Sequence, residues 1–185
     1  YGPSTVLVLT TGQGVNMFTL DNSIGEFVLT KQGVQIPEDT TEYAINMANR
    51  RFWEEPMKQY IEDCIQGEKG PLGKRYNMRW VASLVAETHR ILTRGGVFLY
   101  PGDARPGYEH GRLRMVYECA PIAFLIEQAS GKATDGCDAL LDQKAESRHA
   151  RTPFVVGSVM ISEGARSVCS SVKRTDAEAY HAFPW

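Results

Sequence analysis

The stretch VASLVAETHRILTRGGVFLYPGD, residues 81–103, predicts a helix, a tight turn and a buried strand in direct succession. Apolar or small side chains recur every three or four positions from residue 81 to residue 92, which is the spacing of an amphipathic helix. We predict that this helix covers residues 78–94 and that Gly95 and Gly96 end it. VFLY, residues 97–100, then predicts a short buried strand.

Toward the N-terminus, three short segments separated by turn residues predict an antiparallel meander. The segments are TVLVLTT (5–11), VNMFTL (15–20) and EFVLT (26–30). The first is a continuous apolar run, so we expect a strand that is buried on both faces. A further helix is predicted at FWEEPMKQYIEDCIQ, residues 52–66.

Toward the C-terminus, ECAPIAFLIEQAS predicts a helix that begins at Glu118, with Pro121 tolerated in its first turn. GKATDG (131–136) begins another strand, and PFVVGS (153–158) predicts a last core strand. This alternation of helices and strands predicts an α/β fold, with a mixed β-sheet covered by flanking helices. We predict one domain over residues 1–158 and a tail of weak periodicity over residues 159–185.

The composition is that of a globular protein, with nearly equal numbers of positively and negatively charged residues. The 185 residues carry a net charge of −2, which favours neither a nucleic-acid nor a membrane partner. No apolar run approaches the roughly 20 residues of a membrane span. The chain starts without Met or a basic leader, which suggests a fragment and no signal peptide. Four cysteines without CxxC spacing predict reduced thiols in a cytoplasmic protein.

GRLRMVYE, residues 111–118, contains an arginine pair followed by a carboxylate. In an extended segment, Arg112 and Arg114 would project from the same face, where an anion could lie between them. A solvated edge strand explains the pair equally well from its spacing alone. Glu118 has two explanations as well: a carboxylate favoured by the helix dipole, or an oxygen ligand for a hard cation such as magnesium.

Two further positions suggest phosphate recognition. Arg79 lies near the predicted helix start and follows the basic loop that ends in Lys74 and Arg75. Such charges are usually solvated, although helix N-termini also bind phosphate. Tyr100 ends the VFLY strand, at the kind of position where ligand crevices often lie.

Taken together, four segments resemble class I fructose-1,6-bisphosphatase. They are YGPSTVLVLTTGQGVNMFTLDNSIGEFVLT, RWVASLVAETHRILTRGGVFLYPGD, GRLRMVYECAPIAFLIEQASGKATDG and HARTPFVVGS. The resemblance runs in order from residue 1 to about residue 158 and covers only the C-terminal half of that enzyme. It implies the fold of that half, the α/β domain that holds the sugar and its 6-phosphate. The Asp-Pro-x-Asp-Gly-Ser type motif that supplies most metal ligands in the family does not occur here.

The resemblance implies roles in substrate binding for five residues that contact phosphate. Asn46, Tyr100 and Arg112 would bind the 6-phosphate, with Arg112 in place of a lysine. Trp80 stands where many members have a phosphate-binding tyrosine, and its indole N–H can still donate. Arg79 resembles an arginine that reaches across a dimer interface to the 6-phosphate of the neighbouring subunit.

The resemblance also implies the reaction. Leu84 would line the sugar pocket, Arg114 would lie near the reacting 1-phosphate as a catalytic residue, and Glu118 would be a magnesium ligand. The expected activity is the hydrolysis of fructose 1,6-bisphosphate to fructose 6-phosphate and phosphate, with Mg²⁺ as cofactor. The expected assembly is a homodimer or homotetramer that includes the missing N-terminal half. We expect the isolated chain to be inactive.

Two alternatives stay open. The chain could be a truncated, non-catalytic module that binds sugar phosphates, which the absent metal motif favours. It could also belong to a relative that acts on sedoheptulose 1,7-bisphosphate, although RWVASLVAETHR and YPGD are closer to the fructose enzymes. Allosteric regulation and the role of residues 159–185 are left open by the sequence.

Overall fold

The computed structural model describes residues 2–159 of the chain. Three antiparallel strands come first and form a sheet of their own: β1 (Val6–Thr10), β2 (Val15–Asp21) and β3 (Glu26–Lys31). The predicted meander is therefore confirmed. The predicted tail, residues 159–185, lies outside the described residues apart from residue 159.

The expectation that the first strand is buried on both faces is wrong. Leu7 and Leu9 are 43% and 46% exposed, and within residues 2–159 only Val8 of this strand packs against the main core. The reason is topological, because β1 is the edge strand of the small sheet rather than an interior strand of the large one. An apolar run indicates a strand but does not say where in a sheet the strand lies.

A five-stranded mixed sheet forms the centre of the molecule. Its strands, in spatial order, are β5 (Asn77–Met78), β4 (Glu42–Ile45), β6 (Val97–Tyr100), β10 (Phe154–Gly157) and β8 (Lys132–Thr134). The strand β4 is parallel to both β5 and β6, whereas β10 is antiparallel to both β6 and β8. Two short strands, β7 (Leu113–Arg114) and β9 (Arg151–Thr152), pair with each other outside this sheet.

Helices cover both faces of the central sheet: α1 (Glu55–Gln66), α2 (Leu84–Arg94) and α3 (Ala120–Gln128). Alternate side chains of β6 divide between the two faces, as strand geometry requires. Phe98 packs with Ile91 of α2 and Ile126 of α3, whereas Leu99 packs with Ile61 of α1. This arrangement confirms the predicted α/β fold with a mixed sheet and flanking helices.

The helix α2 begins at Leu84, six residues later than the spacing predicts. Residues 77–78 pair with β4 instead, and the Ser83 side chain caps the helix by accepting the backbone N–H of Ala86. Val81 and Val85, which the periodicity assigns to the core side, are 55% and 75% exposed. The predicted end at Gly95 is correct, since its N–H donates to the Ile91 carbonyl.

The helix α3 is preceded by a wide π-helical turn over Met115–Cys119. Glu118 therefore lies inside the first turns of a continuous helical segment rather than at its first residue. Pro121 sits at the start of α3, where its missing N–H is tolerated, as predicted. No helix among residues 2–159 is long and apolar enough to cross a membrane.

The cysteines depart from the expectation of four reduced thiols. Cys64 and Cys119 are free and buried, as predicted. Cys137 is disulfide-bonded, which contradicts the prediction for this residue. The absence of CxxC spacing excludes a local pair, but folding brings distant parts of a chain together and can form a bridge that no spacing rule detects.

Candidate functional site

A narrow pocket opens at the carboxyl ends of two parallel strands, β4 and β6. Asn46 follows the last residue of β4, and Tyr100 is the last residue of β6. Since the strands are parallel, both side chains reach the same edge of the sheet. Both line one pocket, together with Asn49, Trp53 and three neighbouring residues of the two strand ends. The structure thus brings these two predicted site residues together.

The Asn46 side chain is oriented by the segment that follows it. Its Oδ1 accepts the backbone N–H of Ala48 at 3.2 Å and caps a short 3-10 helix over Met47–Phe52. This uses the oxygen end of the amide, so the NH₂ end is the group that can donate to an oxygen ligand. An amide donor beside a phenol is suited to oxyanion or hydroxyl recognition.

Trp80, Leu84 and Tyr100 lie on the same side of the sheet as the main core. Trp80 stacks on Phe98 with a centroid distance of 5.8 Å and an interplanar angle of 9°, and its centroid lies 6.5 Å from that of Tyr100. Leu84 and Trp80 are both partly buried against this core. Aromatic stacking on β6 therefore holds the segment before α2 close to the residue that ends β6.

Arg79 is not at a helix N-terminus, contrary to the prediction, because α2 begins five residues later. Its backbone N–H donates to the Tyr43 carbonyl at 2.8 Å, which extends the pairing of β5 with β4. Its guanidinium is about half exposed and its Nε lies 3.6 Å from Oε1 of Glu42. The ion pair with this carboxylate on the neighbouring strand thus orients the guanidinium of Arg79.

Glu42 is the centre of a charge network that the sequence reasoning missed. In addition to its ion pair with Arg79, it accepts hydrogen bonds from Arg90, at 3.0 Å, and from Arg94. Burial acts to raise the pKa of Glu42, but the hydrogen bonds and charges of Arg94 and Arg90 outweigh it, so its pKa lies below the ordinary range. Glu42 is therefore ionised under ordinary conditions.

Glu87 extends this network and is fully buried. Its Oε2 accepts from Nε of Arg90 at 2.9 Å, and its Oε1 accepts the backbone N–H of Val81 at 2.7 Å. The second contact ties α2 to the segment that carries Arg79 and Trp80. A signal was present in the sequence, because Glu87 lies three residues after Leu84 and four before Ile91, on the buried side of the helix.

The two arginines of GRLR do not lie in one strand, whereas the prediction assumed one extended segment for both. Arg112 precedes β7, and its guanidinium lies 4.9 Å from the ring centroid of Tyr108. Arg114 lies in β7 opposite Arg151, and its Nη1 is 3.9 Å from Oε2 of Glu118. A strand of two residues is too short to carry both side chains in register.

Glu118 has one carboxylate oxygen in use at the start of the helical segment in which it lies. Its Oε2 accepts the backbone N–H of Arg114 at 2.7 Å, so the carboxylate closes the start of the helical segment. Its side chain is still about one-third exposed. Among residues 2–159, no group of three or more His, Cys, Asp or Glu side chains is arranged to hold a metal ion. The donors in this part of the chain therefore do not suffice for a magnesium site, to which Glu118 could contribute one carboxylate.

Comparison with known proteins agrees with this architecture. Residues 36–169 match the family model described as "Fructose-1-6-bisphosphatase, C-terminal domain", and residues 1–32 match the model described as the N-terminal domain of the same enzyme. The chain therefore belongs to the fructose-1,6-bisphosphatase family. Within that family its similarity is to proteins named class 1, and most of the chain corresponds to their C-terminal region.

The similarity to individual proteins is close. A class 1 fructose-1,6-bisphosphatase of Hydrogenovibrio crunogenus is 60% identical over 158 residues, which is 85% of this chain and 49% of that protein. A Bradyrhizobium protein named class 1 1 is 53% identical over 184 residues, or 100% of this chain and 50% of its own length. The chain thus spans about half the length of the curated relatives it matches.

Solved structures give the same result for the fold. The fructose-1,6-bisphosphatase of Leishmania major in its holo form is 40% identical, with a TM-score of 0.84 over 91% of this chain and 50% of that one. The apo form of the same enzyme gives a TM-score of 0.85 over 92% of this chain and 53% of that one. The two family models divide the chain near residues 32–36, close to where the small sheet ends.

Proposed function

We propose that this chain is the sugar-phosphate-binding part of a magnesium-dependent class 1 fructose-1,6-bisphosphatase, which hydrolyses the 1-phosphate of fructose 1,6-bisphosphate. The observation that carries the proposal is that Asn46 and Tyr100 lie together at the carboxyl edge of the central sheet, where they line a cavity of about 10 Å³ that marks the position of the site but does not itself enclose a sugar phosphate. Strand ends of α/β sheets are common ligand sites. The names of the relatives supply the substrate, and the pocket supplies donors suited to it.

The far phosphate is held by groups from several elements. Asn46 donates from its amide, Tyr100 from its hydroxyl and Trp80 from its indole N–H. Arg112 adds a charged donor pair that suits a phosphate. Leu84 is partly buried against the same core as Trp80 and offers apolar contact to the sugar. Binding energy from this end of the substrate positions the reacting end, which is how remote contacts contribute to catalysis.

The reacting phosphate is assigned to Arg114 and Glu118. Arg114 is about 43% exposed and can place its guanidinium beside the charge that develops on the phosphate. Magnesium, when bound, would activate water and neutralise phosphate charge. Glu118 would offer it one carboxylate oxygen, and the other ligands would come from outside the described residues.

A second copy of the chain is proposed to cover the surface around Arg79. Met78, Val81 and Val85 are exposed apolar residues within six positions of Arg79 in the sequence. Exposed apolar side chains near a half-exposed arginine are suited to an interface with a charged contact at its edge. In this homodimer or homotetramer, Arg79 would reach the 6-phosphate in the neighbouring copy.

The small sheet is proposed to pack against the other half of the enzyme. Six apolar side chains of β1 and β3 are more than one-third exposed: Val6, Leu7, Leu9, Phe27, Val28 and Leu29. A monomeric protein rarely exposes such a group without a partner. Residues 1–32 match the N-terminal domain model, so this sheet is the natural link to the rest of that domain. The domain limits of 1–158 and the cytoplasmic location stay predictions.

A direct titration tests the proposal. Fructose 6-phosphate is added to the chain while backbone amide shifts and tryptophan fluorescence are followed, with fructose as the control for the phosphate. We expect a dissociation constant near 1 mM, equivalent to about 4 kcal/mol, with shifts at Asn46 and Arg112. The variant Asn46→Asp should weaken binding at least about tenfold by charge repulsion, whereas Asn22→Asp, in an exposed turn, should not.

The same samples separate an enzyme half from a binding module. We expect no release of phosphate from fructose 1,6-bisphosphate by the chain alone, because the described carboxylates do not form a metal site. Adding the N-terminal half of a relative should restore the release if the chain is part of an enzyme. Failure to restore it, with fructose 6-phosphate still bound, would favour a non-catalytic module. Absence of any binding would refute the proposal.

A further inference from the structure

Five side chains form an alternating stack of guanidinium groups and aromatic rings beside the pocket. The guanidinium carbons of Arg51 and Arg105 lie 4.8 and 4.4 Å from the ring centroid of Phe52. The guanidinium carbons of Arg105 and Arg112 lie 4.3 and 4.9 Å from the ring centroid of Tyr108. All four distances are within the range of favourable cation–π contacts. We call this set the cation–π stack.

The cation–π stack joins two segments that are distant in the sequence. Phe52 ends the 3-10 helix that Asn46 caps, and Tyr108 lies in the loop between β6 and β7. The backbone supports the junction, since the N–H of Ala104 donates to the Phe52 carbonyl at 3.0 Å. These contacts hold together the two segments that carry Asn46 and Arg112, which are proposed to bind the same phosphate.

Asp103 anchors the middle of the stack. Its two carboxylate oxygens accept from Nε and Nη2 of Arg105 at 2.9 and 2.5 Å, and its side chain is 6% exposed. The hydrogen bond from Arg105 lowers the pKa of Asp103 below its ordinary value. The N–H of Asp103 also donates to the Tyr108 carbonyl at 3.1 Å. The ring of Tyr108 is therefore held by its own loop and not only by its two arginines.

Within residues 2–159, Arg112 differs from Arg105 in having no carboxylate within ion-pair distance, although its charge contributes to lowering the pKa of the nearby Asp103. Across residues 2–159, the guanidinium of Arg112 forms neither a hydrogen bond nor a salt bridge, and its contact is with the face of Tyr108. A stacked guanidinium uses its face and keeps its N–H donors in the plane of the group. Donors that the ring contact does not use suit the oxygens of a phosphate.

We propose that Tyr108 is a positioning residue that holds the Arg112 guanidinium edge-on for a phosphate oxygen of the ligand, with Asp103 and Arg105 fixing Tyr108. This inference rests on the proposed function, because the ligand is the sugar phosphate assigned above. The alternative is a surface stack that only stabilises the loop. The two differ in whether the effect of Tyr108 on binding passes through Arg112.

The test compares ring removal with ring retention. Tyr108→Leu removes the aromatic face, whereas Tyr108→Phe keeps it and removes only the hydroxyl. Fructose 6-phosphate is titrated into the chain for each variant, and thermal unfolding is recorded in parallel. We expect about tenfold weaker binding for Tyr108→Leu and a change within about twofold for Tyr108→Phe. Equal affinities for Tyr108→Leu and the wild type would overturn the inference.

A double variant shows whether the effect passes through Arg112. Arg112→Met removes the guanidinium and its positive charge, so we expect a loss at least as large as that of Tyr108→Leu. Adding Tyr108→Leu to Arg112→Met should then weaken binding by less than about a further twofold. Fully additive losses would mean that Tyr108 acts by another route and would overturn the inference.

One readout needs no ligand. The Nε–H resonance of Arg112 should be shifted by the ring current of Tyr108 in the wild type and in Tyr108→Phe, and should move in Tyr108→Leu. No movement would mean that the stack does not form in solution, which overturns the inference while leaving the proposed function intact. If the wild type itself does not bind fructose 6-phosphate, both the proposed function and this inference fail.

Discussion

The variant Glu87→Gln should destabilise the chain more than any exposed carboxylate-to-amide change. Both carboxylate oxygens of Glu87 are in use, one with the N–H of Val81 at 2.7 Å and one with Nε of Arg90 at 2.9 Å. Glutamine has one acceptor oxygen and one NH₂ group. If the glutamine oxygen accepts from the N–H of Val81, its NH₂ group faces the Nε–H of Arg90, and two donors meet. In the opposite orientation, the NH₂ group faces the N–H of Val81, and two donors meet there instead.

The magnitude follows from burial and from the partners that remain. Removing one partner of a buried ion pair costs about 3–5 kcal/mol, because the other charge stays buried. Arg90 keeps its contact with Glu42 at 3.0 Å, so we expect the lower end of that range, about 3 kcal/mol. For a chain of this length, that corresponds to a fall in Tm of about 6–12 °C.

The assay is urea unfolding followed by tryptophan fluorescence, with thermal unfolding as a second measure. The matched control is Glu62→Gln, since Glu62 pairs with Arg50 at 3.4 Å and the two side chains are 44% and 49% exposed. That change should cost about 0–1 kcal/mol. A Glu87→Gln variant as stable as Glu62→Gln would refute the reasoning and show that the buried pair contributes no net stability.

Three further predictions use carboxylates and thiols. In the full-length parent enzyme, Glu118→Gln should sharply lower the phosphatase rate at saturating magnesium with little change in sugar-phosphate affinity, and an unchanged rate would leave Glu118 with only its helix-start role. Glu42 and Asp103 have lowered pKa values in the folded chain, so the unfolded state binds more protons in acid. The stability that they contribute is therefore present above their ordinary pKa values of 4.5 and 3.8 and is lost as the pH falls through their folded values. We expect the free energy of unfolding to fall by roughly 1 kcal/mol or more between pH 6 and pH 3, and no such fall would contradict this prediction. Burial raises the pKa of Cys64 and Cys119 to about 12, so both should react with a thiol reagent only at the rate of unfolding, and fast reaction of the native chain at pH 8 would contradict their burial.

The fold was largely predictable because its elements have strong local patterns. The meander, the glycine end of α2 and the core strands β6 and β10 all follow from periodicity and turn residues. The errors came from non-local pairing. Residues 77–78 continue a helical spacing, but they pair with β4, whose position no local pattern gives. The exposed faces of Leu7 and Val85 have the same cause, since burial depends on what packs over an element and not on its own spacing.

The candidate site was predictable where it lies on strand ends and not where it lies on loops. Asn46 and Tyr100 meet because β4 and β6 are parallel, and a strand end is visible in the sequence. Arg112 and Arg114 were expected on one face, but the strand covers only Leu113 and Arg114. The contact of Arg112 with Tyr108 depends on the loop conformation, which residue spacing does not determine.

The three arginines that we propose to bind phosphate differ in how ready they are to accept an anion. Arg79 and Arg114 each face a carboxylate, Glu42 at 3.6 Å and Glu118 at 3.9 Å, and these carboxylates repel an incoming phosphate while they orient the guanidinium. Arg112 is oriented by a neutral ring, which holds the group without competing for its donors. Of the three, Arg112 is therefore the one that the chain itself presents in a form ready for a phosphate. A further positive group near Glu42 or Glu118 would offset this repulsion and favour phosphate binding by Arg79 and Arg114. Such groups would have to come from outside the described residues.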